Sequence, residues 1–133
     1  MMRKNAIEEE TTISVNWQDG SEYSGEILNG KPHGQGKYIW PDGDKYIGSW
    51  MHGARHGLGC HSRRNGFVYL GEFKKNLPDG DGFYVGPDGT CYSGKWVQGV
   101  QQGKGTLRDK KEGLLYFGDW SNGSPKLARK TTF

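Results

Sequence analysis

His52, His56, Cys60 and His61 lie close together in the chain, and imidazole and thiolate are the usual ligands of zinc and related metals. Their spacing argues against a shared ion. His52 and His56 sit among turn residues, whereas Cys60 and His61 are adjacent in a strand-like segment, where neighbours point to opposite faces. The pairs Gly34/Gly36, Gly57/Gly59, Gly80/Gly82 and Gly103/Gly105 suggest a phosphate cradle. That chemistry needs a third glycine and a following helix; here the first pair runs on to Ile39 and the third to Val85. No Ser, His and Asp set has motif support. The sequence therefore predicts no catalytic residue, no metal, no cofactor and no enzyme. Arg55, Arg63 and Arg64 fall in a stretch without an acid. They stand at opposite ends of one strand, more than about 20 Å apart at about 3.3 Å per residue, which predicts that they share no pocket. A net charge of +3 is too small to demand nucleic acid.

What positions these residues is a repeat. Tyr23, Tyr46, Tyr69 and Tyr92 are evenly spaced, Tyr116 follows one residue late, and each begins the same phrase: Tyr46-Ile-Gly48-Ser-Trp50, Tyr69-Leu-Gly71-Glu-Phe73, Tyr92-Ser-Gly94-Lys-Trp96. With Tyr as position 1, Gly recurs at position 3, usually at 8, at 12 and 14, and near 21. Gly supplies 23 of 133 residues, against about 7% in ordinary chains, and nearly all fall in this frame. The resulting division is a half repeat 13–22, repeats 23–45, 46–68, 69–91 and 92–115, and a half repeat 116–123, between a polar flank 1–12 and a basic tail 124–133.

Within a repeat, positions 1–6 alternate aromatic or Gly with polar residues, the period of a half-buried strand. Asn29-Gly30 and His52-Gly53 then signal a turn, a second strand follows, and Pro41-Asp42-Gly43 or Pro87-Asp88-Gly89 closes the unit. One repeat is one β-hairpin. The expected fold is all-β: a single-layer antiparallel β-meander, a solenoid of stacked hairpins, curved, with a concave face of aromatics and glycines. A hydrophobic content of 32% with 13% aromatics fits such a thin core and not a disordered chain. Met1–Glu10 has no apolar stretch of the kind a secretory signal needs, and Cys60 and Cys91 make no disulfide framework; both predict a cytoplasmic setting.

The pattern Tyr-x-Gly-x-Trp/Phe, Gly, Gly-x-Gly, Pro-Asp-Gly over residues 15–123 resembles the MORN (membrane occupation and recognition nexus) repeat, most closely at His33-Gly-Gln-Gly-Lys-Tyr-Ile-Trp-Pro-Asp-Gly43. Departures are Ile27 for the aromatic, Asn76 for Gly, His61 and Leu107 for the second-strand aromatic, and an insertion near Lys111. The resemblance implies an interaction scaffold, with any catalysis left to separate domains. A short free-standing array is most similar to cytoskeletal and ciliary members, radial-spoke-head proteins among them. That implies a setting in the cytoskeleton, as in the axoneme of a cilium or flagellum, and pairing of two copies through their C-terminal ends.

Two sets of candidate contact residues follow. The first is an aromatic groove of Tyr38, Trp40, Trp50, Phe73, Tyr84, Trp96 and Trp120 that holds a segment of a protein partner; Tyr38, Trp40 and Tyr84, on the second strands, are expected to stay partly exposed. The second is a row of hairpin tips, Lys31, Arg55, His56, Lys74 and Lys75, able to meet anionic membrane lipid. Strand 116–121 is expected to leave an unpaired edge open to partners.

Overall fold

The computed structural model describes residues 10–133. They form eleven strands, β1 Glu10–Asn16, β2 Glu22–Leu28, β3 Lys31–Ile39, β4 Lys45–Met51, β5 Ala54–Ser62, β6 Val68–Lys74, β7 Leu77–Val85, β8 Cys91–Val97, β9 Val100–Asp109, β10 Leu114–Ser121 and β11 Ser124–Thr132. The strands make one open antiparallel sheet in chain order, and no helix occurs among the described residues. The all-β meander expected from the repeat is what forms. Two boundaries move. β1 begins at Glu10, inside the polar flank, and residues 1–9 of that flank lie outside the described residues. The tail is not free: β11 pairs with β10 from Ser121↔Ser124 to Leu114↔Thr132, so strand 116–121 does not form an open edge.

Each repeat is built around its tyrosine. Tyr23, Tyr46, Tyr69 and Tyr92 are almost fully buried, and their hydroxyls donate to the backbone carbonyls of Glu26, Ser49, Glu72 and Lys95 at 2.6, 2.8, 2.9 and 3.0 Å. The rings lie across a row of glycines that runs through the sheet by direct pairing, Gly25↔Gly36↔Gly48↔Gly59↔Gly71↔Gly82↔Gly94↔Gly105↔Gly118. A Cβ on Gly59 would overlap the Tyr46 hydroxyl. The glycines thus provide the trough in which a ring can lie against backbone. Trp50, Phe73, Trp96 and Trp120 complete this layer. Tyr46 meets Trp50 and Phe73 edge to face, both at 5.0 Å, and Trp50 Nε1 donates to the Gly36 carbonyl at 3.0 Å. The register shifts between the third-position Gly and the aromatic two residues later, as at Gly48/Trp50; such bulges bend a strand.

Both ends of the hairpins are pinned. At one end, an Asx turn recurs: Asp19, Asp42, Asn65 and Asp88 accept from the backbone N–H two residues on. At the other, Asn29-Gly30, His52-Gly53, Lys75-Asn76, Gln98-Gly99 and Asn122-Gly123 all have positive φ, the two-residue turn that matches the twist of a hairpin. Asn tolerates that conformation; His52, Lys75 and Gln98 do so less readily. The preceding repeat supports them. His33 Nδ1, His56 Nδ1 and Asp79 Oδ2 accept from the N–H groups of His52, Lys75 and Gln98 at 3.1, 3.4 and 3.1 Å.

Candidate binding site on the aromatic face

Four of the seven expected groove residues lie beneath the surface. Trp50, Phe73, Trp96 and Trp120 are only 7, 3, 6 and 3% exposed, so they form the supporting floor and offer a partner little area. Their indole and phenyl groups fill the space the glycine row leaves, and side-chain parity alone does not separate floor from rim. Tyr38, Trp40 and Tyr84 are half-buried and form the rim, as expected.

The rim differs along the sheet. In the first repeat it is closed by rings: Tyr38 stands 5.9 Å from Trp17, 4.8 Å from Trp40 and 6.1 Å from Trp50. One repeat later the place of Tyr38 is taken by His61, and the place of Trp40 by Arg63. A cavity of about 320 Å³ opens there, bounded by Arg55, His61, Arg63, Phe67, Asn76 and Tyr84 and floored by Phe73 and Trp96.

Arg55 and Arg63 therefore share a pocket, contrary to the expectation from backbone spacing. The Arg55 side chain reaches along the strand as far as His61, a distance that the strand rise ignores. Nor does Arg55 belong to the tip row expected to meet lipid. It is half-buried, and its guanidinium lies 5.6 Å from the Trp40 ring and 5.7 Å from that of Phe73. The Nε–H donates to Asn76 Oδ1 at 3.3 Å, and the Arg55 backbone N–H donates to the same oxygen at 2.9 Å. Nη1 lies 3.3 Å from His61 Nδ1. Arginine can only donate, so the His61 Nδ1 accepts and its proton resides on Nε2. Burial, then Arg55 and Arg63, push the His61 pKa below its usual value, more than Asp44 and Asp42 raise it; the ring is neutral near pH 7. Burial also lowers the Arg55 pKa, although a guanidinium stays charged. Arg63 is exposed, and its guanidinium lies 5.5 Å from the Phe67 ring. Neither arginine has an ion-pair partner among the described residues; Lys95–Asp81 and Lys104–Asp119, both at 2.8 Å, are pairs elsewhere.

Of the tip residues, Lys31, Lys74 and Lys75 are exposed, whereas His56 is committed through Nδ1 to the Lys75 N–H. At the C-terminal end, β11 carries Pro125, Lys126, Arg129 and Lys130, the residue types that discourage strand addition.

Sequence reasoning missed an apolar row on the opposite face. Ile47, Cys60, Leu70 and Phe83 are direct cross-strand neighbours on β4 to β7, and Ile47, Leu70 and Phe83 are exposed by 52, 55 and 41%. Reading the even positions of the first strand as mostly polar averages over the phrases that break the rule; their second residues, Ile47, Leu70 and Phe117, were the available signal.

The geometry can bind and position but shows no nucleophile and base within reach of one another around the cavity. No helix among the described residues is long and apolar enough to cross a membrane. No curated protein shows a significant match to the chain. The model of the MORN repeat matches four times in tandem, at residues 23–45, 46–68, 69–91 and 92–113, each match beginning at the tyrosine one residue inside β2, β4, β6 and β8. Arrays of this kind bind proteins or membrane lipids in general. With well over half of its length accounted for by these four matches, the chain belongs to the MORN-repeat family.

Proposed function

We propose that the chain is a non-enzymatic protein-interaction scaffold, a structural subunit of a cytoskeletal assembly such as a ciliary or flagellar axoneme, which holds an extended or helical segment of a partner against its aromatic face. One observation carries this reading: over a buried aromatic floor the chain's own side chains leave a cavity open, lined by the half-exposed Tyr84 and by His61 and Arg55, against which the half-exposed Trp40 ring packs. Rigid aromatic surface of this sort is favoured at interfaces because it gives large contact area at small entropic cost.

A lipid-binding edge is supported less well. Arg55 is turned inward, His56 serves the tip turn, and three exposed lysines remain. Pairing of two copies through β11 would bring Lys126, Arg129 and Lys130 of both together, so the aromatic face, not that edge, is the main contact in this reading. The test uses tagged chains in ciliated cells. Substituting Trp40 and Tyr84 by Ala is expected to abolish partner capture and axonemal placement, while substituting Lys31, Lys74 and Lys75 by Ala leaves both intact. The reverse outcome, with binding to anionic vesicles lost in the lysine variant, would replace the scaffold with a membrane tether.

A further inference from the structure

The repeat supplies an internal standard: at each position the other copies show what the framework alone requires. Measured against it, Ile27, Leu107 and the insertion near Lys111 stand apart, but five departures converge. Arg55 stands where two other repeats have Pro32 and Pro78. His61 stands for Tyr38 and Tyr84, Arg63 for Trp17 and Trp40, Phe67 for the small polar Ser21, Asp44 and Thr90, and Asn76 for a turn glycine. All five line the one cavity between the second and third repeats. Five departures on the lining of one cavity are the pattern that an occupied site leaves on a repeated framework.

Resting on the scaffold reading above, we propose that this cavity is the subsite for a carboxylate side chain of the partner segment, gripped by the guanidinium groups of Arg55 and Arg63, with an apolar neighbour of that carboxylate seated against Phe67 and Tyr84. The charge is complementary: two arginines line the cavity and no Asp or Glu does. Arg55 is already oriented, its guanidinium near the Trp40 and Phe73 rings and anchored to Asn76 and His61, so little side-chain freedom is lost when an acid arrives. The planar fork suits a carboxylate, and the aromatic surroundings strengthen a charge-assisted bond by excluding water. A volume of about 320 Å³ suits a side chain or two. A phosphorylated lipid headgroup fits less well, because it arrives on a broad flat surface while this cavity opens among rings on the sheet face.

Random dodecapeptides displayed on phage, selected against the full chain, test the assignment. Enriched peptides are expected to carry Asp or Glu next to Phe, Leu or Trp. Their affinity should fall about tenfold in R63Q and in R55Q, by less in R55K, and not at all when Lys74 and Lys75 become Gln. Because R63Q alters an exposed side chain, it keeps the test open even where R55Q fails to fold, as judged by circular dichroism. Enriched peptides without acids would overturn the subsite. So would acidic peptides that ignore both arginines; if those peptides still depend on Trp40 and Tyr84, the scaffold reading survives, and if they do not, it falls as well. Binding of phosphatidylcholine vesicles containing phosphatidylinositol bisphosphate through Arg55 and Arg63, in preference to any selected peptide, would assign the cavity to lipid and overturn the proposal.

Discussion

The aromatic face around Tyr38 and the same face one repeat later, around His61, occupy equivalent positions on equivalent hairpins. In the first, Trp17, Tyr38, Trp40 and Trp50 close the surface with ring-to-ring contacts of 4.8 to 6.1 Å. In the second, Arg55, His61 and Arg63 surround a space. Beneath both runs the same floor of tyrosine, glycine and tryptophan or phenylalanine. The difference teaches that floor and rim answer to separate demands: the floor is fixed by packing, and the rim is free to vary once the floor is in place.

High pH should remove that separation altogether, because it attacks the shared floor. Burial pushes the Tyr46 hydroxyl up to about 12 from its ordinary 10.0 and raises Tyr23, Tyr69 and Tyr92 as well. A raised pKa means that the folded chain holds the proton more tightly than the unfolded chain does. The stabilisation is complete below about pH 10 and is lost as the pH climbs towards about 12. Melting temperatures followed by circular dichroism should be level up to about pH 9 and then fall together for probes in both regions; a fall confined to one region would break the idea of a common floor.

Trp50→Ala comes next, with an expected loss of about 3–5 kcal/mol. Trp120→Ala should lose less, since Trp50 touches Tyr23, Tyr38 and Tyr46 and donates to Gly36, whereas among the described residues Trp120 has one aromatic ring partner, Tyr92. Equal urea midpoints for the two variants would contradict this order. Two glycines then separate close approach from turn geometry. Gly59→Ala drives a methyl group into the Tyr46 hydroxyl and should lose about 2–3 kcal/mol. Gly30→Ala meets nothing within 4 Å and suffers only from its φ of +79°, about 1 kcal/mol.

The smallest change addresses the comparison most directly. His61→Tyr rebuilds the closed rim in the second repeat. It should raise stability by about 0.5–1 kcal/mol through the regained aromatic contacts and reduce binding of any ligand that needs the cavity. Acid sensitivity offers a companion readout. The folded pKa of His61 is lowered, so its stabilisation is present above about pH 6.5 and declines as the pH falls below that value. The tyrosine variant should lack this decline.

Much of the floor was legible because large residues recur with a strand's period: the five tyrosines, their position-3 glycines and the aromatics after them fall at fixed intervals. β11 was not legible. Ser124-Pro-Lys-Leu-Ala-Arg-Lys-Thr-Thr132 has no alternation, and its pairing with β10 rests on backbone hydrogen bonds that no side-chain pattern records. The pocket escaped for another reason. Spacing along the backbone places Cα atoms, but Arg55 acts through its guanidinium, several bonds away, and its direction depends on Asn76 from the next hairpin. Floor and rim of the groove were likewise inseparable on parity, since both point to the same face.

Every strand pairs only with its neighbours in the chain, and this has a kinetic meaning. Folding requires no closure of a long loop, and chains rich in such local contacts fold fast. Arrays of this type gain stability from each adjoining unit, so the ends fray first and the middle opens last. The cavity draws its residues from Arg55 to Gly99, in the interior of the array. The cavity therefore belongs to the part of the array that opens last, and fraying of β1 or β11 leaves its walls in place.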